Sequence, residues 1–576
     1  MLSDSLFDFG QVIRSRELGG RHYPWVEWDL VSLNARLHGG REALVDMVHG
    51  ASPAAWRRRT WAQALEDTNT LVFQLLERGL RKGGLVLSQL PNSLESVYLD
   101  WATSKIGAMH CGLNLDLGRA ETLGTLEKLR PDVAVIVPEW HGRAFAQWYR
   151  EARSFLPSLR LVALVRPGES VPEGFEPVEA LLDRSVWTRY AAPDLDYLRP
   201  DPLDVHELLP TSGTTGVPKI SQRTTVDWFH VHSTGIAQRA GHNVYDSRIL
   251  IGPLSGGSGR LWAVHVPLFT GGRTVLPLEF DEENVLEWTE RERITIWSWN
   301  PALITRVVTH PAFDAHELSS LRQVSYSGAP LPSDVIQKLY DRGIVCFNVY
   351  GTSEVGGCMS PILSGISQEH LMSAAGVPFE GFDVAVVDGQ GNRLPAGEVG
   401  EILIWNIHHG YFASPEESRA TFHDAEYGGR WEGYQHTGDL GVFDDDGYLR
   451  VVGRKKDMIL RGGQNIFPKE VEDILSQHPS IRDIAVVAMP DPILGERACA
   501  FVVPVDGTSV TVYDLAAFLD ERGVAKFKAP ERVEVVEELP LGPGGKVLKG
   551  ELRELIRQCV EAEAAQGAQG PSKASP

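Results

Sequence analysis

Short apolar runs alternate with segments of helical periodicity through the first part of this chain. Leu65, Val72, Leu75 and Leu76 recur near the spacing of one helix face, and Gly79 stands where such a helix would end. The apolar run "GLVLSQLPN" that follows is typical of a buried strand, and "PDVAVIVPE" and "LRLVALVRP" continue the alternation. This order of elements predicts an α/β fold with largely parallel sheets.

The pattern changes after about residue 380, where Asp and Gly separate pairs of β-rich runs. The segments "FDVAVVDGQGNRL" and "GVFDDDGYLRVVG" predict hairpins or a small barrel. Further on, Pro468 stands near a helix start, and Val471, Ile474 and Leu475 share one face of that helix. Strand-like runs follow, so this part predicts a compact α+β domain.

Composition excludes some classes of function. The 576 residues are 43% hydrophobic, enough for several domains, and a formal net charge of -21 argues against non-specific binding to nucleic acid or to an anionic membrane. The five cysteines are scattered and lack a C-x-x-C spacing, which indicates neither a disulfide framework nor a structural zinc site. No stretch approaches the ~20 apolar residues of a membrane helix. We therefore expect a cytoplasmic protein.

Two local segments carry simpler expectations. The basic run of Arg57, Arg58 and Arg59 is expected to be a solvated surface. The last segment, residues 561–576, lacks large apolar side chains and is expected to be disordered.

A loop rich in glycine and hydroxyl groups lies in "LLPTSGTTGVPK", residues 208–219. Glycines let backbone amides approach an anion, and short hydroxyl side chains add donors. The spelling differs from the phosphate loop G-x-x-x-x-G-K-[ST], because Gly213 and Gly216 are too close together and Pro218 precedes Lys219. A phosphate-binding loop and a flexible surface turn both stay open from these residues alone.

Five further motifs follow this loop in order. They are "VYGTSEVGG" (349–357), "GYFASPEESRATF" (410–422), "HTGDLG" (436–441), "GRKKDMILRGGQNIFPKEVE" (453–472) and "LPLGPGGKVLKGELR" (539–553). Together with the loop they resemble the core motifs of the adenylate-forming superfamily, closest to aryl acid AMP ligases and acyl- and aryl-CoA ligases. The resemblance covers essentially residues 20 to 558.

The resemblance implies a fold and a domain organisation. It implies an N-terminal core domain, residues 1–455, made of two doubly wound α/β subdomains and a distorted β-barrel. A small mobile α+β lid domain, residues 456–560, would follow, and 561–576 would form the tail. Lys456 matches the hinge about which such a lid rotates between two half-reactions.

The resemblance also implies binding of ATP and Mg²⁺. The loop residues that would close over the ATP phosphates are Thr211, Ser212, Gly213, Thr214, Thr215, Gly216 and Lys219. Glu354 matches the magnesium ligand, a suitable role for a carboxylate near phosphates. Tyr350 would face adenine, and the backbone around Ser327, Gly328 and Ala329 would line the same pocket. The other expected ATP- or AMP-binding residues of this motif are Gly351, Thr352 and Ser353.

Further roles follow from the remaining motifs. Asp439 matches the residue that accepts hydrogen bonds from the ribose hydroxyls, and Arg454 matches the arginine that contacts ribose and phosphate. Lys546 matches the catalytic lysine that faces the negative charge developing during adenylation, with Glu354 as the second catalytic residue. Gly462 and Gly463 would leave space for the pantetheine arm that carries the acceptor thiol.

The acid is expected to be aromatic or cyclic, since the C-terminal third looks most like aryl acid AMP ligases. In "GPLSGGSGRLW" two glycines stand where those ligases carry a His-Asn pair, so a preference for 2-hydroxybenzoates is not expected. The expected acid-pocket residues are Phe229, His230, Ser255, Gly256, Gly257 and Ser327. Core packing is the alternative for the aromatic pair, as for the neighbouring Trp228.

These inferences predict an ATP-dependent carboxylic acid ligase. The acid and ATP would give an acyl-adenylate and pyrophosphate, and a pantetheine thiol would then displace AMP. Free CoA and the phosphopantetheine of a separate carrier protein both stay open as acceptors. The alternatives are a medium- or long-chain fatty acyl-CoA ligase, a luciferase-like monooxygenase and a non-catalytic binding protein.

Overall fold

The computed structural model describes residues 26–47, 55–165, 170–195, 197–198, 200–211, 217–226, 234–328, 331–363, 366–405, 409–541 and 547–568. The chain forms two compact units. The first unit comprises Met1–Val384 and Ile404–Gln435, and the second comprises Ala385–Leu403 and His436–Pro576. The boundary after residue 455 stays a prediction based on the motifs.

The first sheet of the first unit has seven strands. All neighbouring strands are parallel except the last pair, which is antiparallel. In spatial order they are β14 (Val345–Asn348), β13 (Gln323–Tyr326), β12 (Ile296–Trp299), β10 (Ser247–Ile249), β11 (Arg273–Leu276), β1 (Glu42–Asp46) and β2 (Arg57–Thr60).

The second sheet of this unit also has seven strands, and again only its last pair is antiparallel. In spatial order they are β7 (Glu176–Pro177), β6 (Leu161–Leu164), β5 (Val133–Ile136), β3 (Leu85–Gln89), β4 (Met109–Gly112), β8 (Val205–Pro210) and β9 (Ile220–Thr224). The strands expected from "GLVLSQLPN", "PDVAVIVPE" and "LRLVALVRP" are β3, β5 and β6, which confirms the α/β prediction.

Helices accompany both sheets. The first five are α1 (Glu27–His38), α2 (Trp61–Glu77), α3 (Leu94–Ile106), α4 (Arg119–Leu129) and α5 (Phe145–Phe155). The next group is α6 (Thr234–Arg239), α7 (Gly257–Arg260), α8 (Val266–Thr270), α9 (Glu282–Arg291), α10 (Pro301–Thr309), α11 (Ser333–Asp341), α12 (Gln368–Ser373) and α13 (Pro415–Phe422). A π-helical turn, Leu261–His265, joins α7 to α8.

Short 3₁₀ turns complete the helical elements. They are Val178–Leu181, Arg184–Thr188, Ala192–Leu195, Pro311–Ala315, Lys455–Asp457 and Lys526–Lys528.

Helix α2 shows how local sequence sets an element. Thr60 precedes the helix, its hydroxyl accepts from the Gln63 amide at 3.3 Å, and its own amide donates to the Gln63 side chain at 3.0 Å. This reciprocal cap satisfies two backbone donors at the helix start. The buried face includes Val72 and Leu75, as the periodicity predicts.

Antiparallel strands appear where the sequence predicts hairpins or a barrel. Strands β15 (Tyr350–Thr352), β16 (Gly356–Ser360) and β17 (Val377–Pro378) form a three-stranded sheet in the first unit. Strands β18 (Asp383–Val387), β19 (Gly400–Trp405), β20 (Gln435–Phe443) and β21 (Leu449–Arg454) form a four-stranded sheet that lies mainly in the second unit. Closure of these strands into a barrel stays a prediction.

The rest of the second unit is an α+β domain, as expected. Its sheet has the order β23 (Gln464–Ile466), β22 (Ile459–Arg461), β25 (Gly495–Pro504) and β24 (Ile481–Asp491), with β26 (Arg532–Val535) parallel to β25. Its helices are α14 (Pro468–Leu475), α15 (Val512–Asp520) and α16 (Lys549–Ala568). Val471 and Leu475 are fully buried against the sheet, which confirms the helix face.

Two local expectations are wrong. Helix α16 continues to Ala568, so residues 561–568 are helical, and Arg532 pairs with Glu563 at 2.8 Å. The alanine- and glutamate-rich sequence there has high helix propensity, which outweighs its lack of large apolar side chains. Residues 569–576 lie outside the described residues.

The basic run is the second correction. Arg57, Arg58 and Arg59 form β2 and are half-buried in ion pairs; Arg57 contacts Asp46 and Glu95. Arg58 binds Glu42 and Glu292, and Arg59 binds Asp67, so the acidic partners come from several distant segments.

Among the described residues, none of the helices is long and apolar enough to span a bilayer.

Candidate functional site

The hydroxyl- and glycine-rich loop connects two antiparallel strands, β8 and β9. At its base the Thr211 amide donates to the Lys219 carbonyl at 2.8 Å. A Walker-type loop instead leads from a strand into a helix. The loop therefore connects the two strands of a hairpin. This agrees with its sequence, which differs from the Walker-type pattern.

Residues 409–412 lie beside β9 and bring one tyrosine to the end of this loop. The Phe412 amide donates to the Ile220 carbonyl at 2.7 Å, and Gln222 donates to the His409 carbonyl at 2.7 Å. This pairing places the ring of Tyr411 with its centroid 5.1 Å from Lys219 Nζ, a cation–π contact.

The hydroxyl of the same tyrosine reaches the predicted magnesium ligand. Tyr411 Oη donates to Glu354 Oε1 at 2.5 Å, and Gln435 Nε2 donates to Glu354 Oε2 at 3.2 Å. Gln435 is itself oriented by the Thr352 hydroxyl, which donates to its side-chain oxygen at 2.7 Å. Both oxygens of Glu354 are thus held by neutral donors, which orient the carboxylate without cancelling its charge.

Burial and the neighbouring charge of Glu354 both raise the pKa of Tyr411 above its usual value. The hydroxyl therefore stays protonated and remains a donor to the carboxylate at neutral pH. Burial, followed by the charge of Arg223, lowers the pKa of the adjacent His409 to about 4, so its imidazole is neutral.

Arg223 ties β9 to the turn that carries the glutamate. Its side chain is fully buried, and Nη2 donates to the Ser353 carbonyl at 2.5 Å. The loop strand and the Glu354 turn are consequently fixed to each other by a charge-assisted hydrogen bond.

Other predicted residues of the first unit lie at the carboxyl edge of the first sheet. Ser327 and Gly328 follow β13, and Tyr350 begins just after β14, its neighbour in the sheet. The segment from Ser255 to Gly257 follows β10 on the same sheet. The carboxyl edge of a parallel sheet is the usual place for ligands in such folds.

Gly351 is required by a close backbone approach. A Cβ at this position would lie 1.9 Å from the Gly356 carbonyl oxygen on the facing strand β16. Gly351 therefore lets β15 and β16 pair closely on either side of Glu354.

The predicted ribose-binding pair lies in the second unit. Asp439 and Arg454 face each other across β20 and β21, and Arg454 Nε lies 2.8 Å from Asp439 Oδ1. The Asp439 amide donates to the Thr437 hydroxyl at 3.0 Å, and that hydroxyl donates to the Ile402 carbonyl at 2.7 Å. The structure brings the two residues together as an oriented ion pair.

Lys456, the predicted hinge residue, is exposed in a short 3₁₀ turn. Its neighbours are anchored on both sides, because Lys455 binds Glu401 at 2.7 Å and Asp457 accepts from Arg553 at 2.6 Å. The hinge role stays a prediction.

Gly462 and Gly463 form the two-residue turn between β22 and β23, with φ of 55° and 84°. Positive φ at both positions is what a type I′ hairpin demands, so turn geometry by itself accounts for both glycines. Passage of a thiol arm beside them stays a prediction.

Several predicted residues lie outside the described residues. They are Ser212, Gly213, Thr214, Thr215, Gly216, Trp228, Phe229, His230, Ala329 and Lys546. Their expected roles stay predictions.

Two side chains that contact Glu354, Tyr411 and Gln435, were not predicted from the sequence. Tyr411 belongs to "GYFASPEESRATF", one of the ordered motifs. The motif indicates that this segment matters for function, but it does not indicate that Tyr411 contacts Glu354. Gln435 immediately precedes "HTGDLG". Their contact with Glu354 depends on strand pairing between distant segments.

Comparison with known proteins agrees with these features. The profile of the AMP-binding enzyme family matches residues 31–412, and that of the AMP-binding enzyme C-terminal domain matches residues 470–546. A feruloyl-CoA synthase of an Amycolatopsis species is 33% identical over 86% of this chain and 93% of the relative. An indoleacetate–CoA ligase of Aromatoleum aromaticum is 31% identical over 87% of this chain and 94% of the relative.

A solved structure supports the fold. The crystal structure of an anthranilate CoA ligase in complex with anthranoyl-AMP superposes with a TM-score of 0.77 at 24% identity. The match covers 95% of this chain and all of the solved chain. With a family profile matching most of its length, the chain belongs to the AMP-binding enzyme family.

Proposed function

We propose that this protein is an ATP-dependent carboxylic acid ligase that acts on an aromatic or cyclic acid and transfers it to CoA. In the first half-reaction a carboxylate oxygen attacks the α-phosphorus of ATP, and the bond from that phosphorus to the β-bridging oxygen breaks to release pyrophosphate. In the second, a thiol sulfur attacks the acyl carbon, and the bond to the AMP oxygen breaks.

The position of Glu354 is the observation that carries this proposal. Tyr411 contacts both this carboxylate and Lys219 at the end of the hairpin loop, so an oriented negative charge lies beside a loop suited to phosphates. Mg²⁺ is usually bound by one or two carboxylates together with phosphate oxygens and waters, which fits the chemistry of Glu354. Such an ion would neutralise phosphate charge.

The other nucleotide contacts are assigned by motif. Lys219 and Thr211 would flank the phosphates, Tyr350 would face adenine, and Asp439 and Arg454 would bind the ribose. We propose that Lys546 approaches the α-phosphate and stabilises the charge that develops there.

The proposed acid class is supported by the relatives and by the pocket segment. Feruloyl-CoA synthase and indoleacetate–CoA ligase are named for aromatic acids. A Cβ added at Gly256 would have no neighbour closer than 3.5 Å, so the glycine leaves room beside the Ser255 turn. An acid without an ortho-hydroxyl group is favoured, because neither glycine offers a side-chain partner to such a group.

CoA is the acceptor we propose, since these relatives are named for CoA thioesters; a carrier protein is the competing acceptor. We also propose that the protein acts in the cytoplasm.

The test is pyrophosphate exchange across a panel of cinnamic, arylacetic, benzoic, alicyclic and fatty acids. Thioester formation is then measured with CoA and with a phosphopantetheinylated carrier protein. We expect exchange to be fastest with an aromatic acid lacking an ortho-hydroxyl and the thioester to form with CoA. Fastest exchange with fatty acids would contradict the proposed aromatic or cyclic acid class. No exchange with any acid would refute the proposed ligase activity.

A monooxygenase of the luciferase kind would share the first half-reaction. It is distinguished by adding oxygen to the preformed adenylate in the absence of CoA. Release of carbon dioxide and light would support that alternative, whereas we expect none.

A further inference from the structure

Four ionisable side chains from distant parts of the chain meet in the interior of the first unit. Glu27 begins α1, Asp100 lies in α3, His206 lies in β8 and His265 ends the π-helical turn. We call these four the buried cluster. Their side chains are at most 8% exposed.

The two histidines each approach both carboxylates. His206 Nε2 lies 3.0 Å from Glu27 Oε2 and 3.7 Å from Asp100 Oδ1. His265 Nε2 lies 3.6 Å from Glu27 Oε1 and 3.8 Å from Asp100 Oδ2. One ligand atom from each of Glu27, Asp100 and His206 lies within 4.8 Å of the other two, a spacing that suits one shared ion, and His265 lies beside them.

Several of these atoms lack a hydrogen bond within the described part of the chain. Glu27 Oε1, Asp100 Oδ2 and His206 Nε2 are buried and have no partner in hydrogen-bond geometry. His206 Nε2 is thus close to Glu27, but the two groups are not oriented for a hydrogen bond. Buried polar atoms are almost always satisfied, so three orphaned atoms aimed at one place indicate a missing partner.

Carboxylates outnumber the arginine around the buried cluster. Glu27, Asp100 and the adjacent Glu207 are buried carboxylates, and Arg260 contacts Asp100 at 3.1 Å and also contacts Glu207. The remaining positive charge is supplied either by a protonated imidazole or by a bound cation, and a divalent cation held by neutral imidazoles would compensate these carboxylates.

We propose that Glu27, Asp100 and His206 bind one divalent transition-metal ion of the Zn²⁺ class, with His265 beside the site. Imidazole nitrogens combined with carboxylate oxygens select such an ion over Mg²⁺ or Ca²⁺, which prefer all-oxygen sites. The site is closed, as structural zinc sites are, and lies apart from Glu354, the carboxylate assigned to Mg²⁺.

Neighbouring groups orient the proposed ligands. His110 Nδ1 lies 3.2 Å from Asp100 Oδ1, and its other ring nitrogen lies 2.9 Å from the Ser88 hydroxyl. Arg260 also donates to the Leu254 carbonyl at 3.2 Å, directly before Ser255. The ion would therefore stabilise the turn that carries the predicted acid pocket, through Asp100 and Arg260.

The test is metal binding by the full-length chain after chelation, with calorimetry for Zn²⁺ and absorption spectroscopy for Co²⁺. All variants carry Glu354→Gln, which removes the other proposed cation ligand. We expect one Zn²⁺ per chain and tetrahedral Co²⁺ bands. Glu27→Gln and His206→Gln should weaken binding by about 100-fold or more, since each removes a direct ligand.

A matched control is His242→Gln, which alters a half-buried histidine of the same unit that contacts Gln323 at 2.8 Å. It should bind Zn²⁺ as the parent does. Metal-free Glu27→Gln should fold, because glutamine has nearly the same shape and volume as glutamate. Zn²⁺ should raise the thermal midpoint of the parent and not that of Glu27→Gln. Absence of Zn²⁺ binding by the parent, or unchanged binding by Glu27→Gln, would overturn the proposal.

Discussion

At the scale of single residues, Tyr411 connects the two chemical groups on which the proposed site depends. Its ring faces Lys219 and its hydroxyl holds Glu354, while Gln435 holds the other carboxylate oxygen. Partners of a metal ligand fix its orientation and commonly change metal affinity by about 10–100-fold when removed.

Tyr411→Phe should therefore lower the apparent affinity for Mg²⁺ by about 10-fold. The free energy of unfolding should fall by only about 1 kcal/mol, because one hydrogen bond is lost and the ring remains. Pyrophosphate exchange measured over a range of Mg²⁺ concentrations gives the affinity, and urea unfolding gives the stability.

Tyr98→Phe is the control, since that tyrosine also donates to a carboxylate, Asp67, at 3.1 Å. It should leave the Mg²⁺ dependence unchanged. An identical Mg²⁺ dependence for Tyr411→Phe and the parent would contradict the role given to Tyr411.

The ordered motifs predicted binding roles for Glu354, Asp439 and Arg454, because each of these residues lies inside a motif that resembles those of a known family. The partners of those residues could not be predicted in the same way. Tyr411 reaches Glu354 only because residues 409–412 pair with β9, and the buried cluster joins positions 27, 100, 206 and 265. Cysteine spacing, the signal used for zinc, does not detect a site made of histidines and carboxylates.

At the scale of elements, the hairpin of β15 and β16 holds the Glu354 turn through an unusually close backbone contact. Gly351→Ala would place a methyl group against the Gly356 carbonyl, which is backbone and cannot rotate away. We expect a loss of about 1–3 kcal/mol in the free energy of unfolding, together with slower pyrophosphate exchange.

Gly40→Ala is a suitable comparison, because Gly40 is exposed and an added Cβ there meets no atom within 4 Å. Its thermal midpoint should stay close to that of the parent. Equal stability of the two variants would show that the hairpin tolerates the methyl group.

The turn at Gly462 and Gly463 allows the structural and functional roles of glycine to be separated. Gly463→Asn should preserve stability, since asparagine tolerates positive φ and an added Cβ meets no atom within 4 Å. If a thiol arm passes here, adenylation should be unchanged while thioester formation falls about 10-fold. Equal rates of both half-reactions would assign the glycines to the turn alone.

The elements themselves were largely predictable, because periodicity and capping are local: α2, β3, β5 and β6 appear where the patterns place them. The error at β2 arose because non-local contacts decide its environment. The arginines of β2 were expected in solvent, yet acids from positions 42, 46, 67, 95 and 292 surround them. The error in the tail has a local cause: disorder was expected from the lack of large apolar side chains, yet helix propensity extends α16 to Ala568.

At the scale of the whole molecule, the motifs divide the two half-reactions between different parts of the chain. Lys546→Ala should abolish pyrophosphate exchange, because the cation that faces the α-phosphate is lost. Conversion of preformed aryl-adenylate to thioester should continue, since the thiol attacks the acyl carbon and not the α-phosphorus that Lys546 is proposed to face. Rapid-quench assays of each step give the comparison, and equal loss of both would contradict this division.

The central claim is that the acid is activated by transfer of adenylate, and isotope tracing tests it most directly. The chosen aromatic acid is labelled with ¹⁸O in both carboxylate oxygens and incubated with ATP, Mg²⁺ and CoA, and the products are analysed by mass spectrometry. We predict that AMP acquires one ¹⁸O atom for each thioester formed, because the attacking carboxylate oxygen stays on the α-phosphorus. Label in inorganic phosphate with ADP as the product, or unlabelled AMP, would contradict the account.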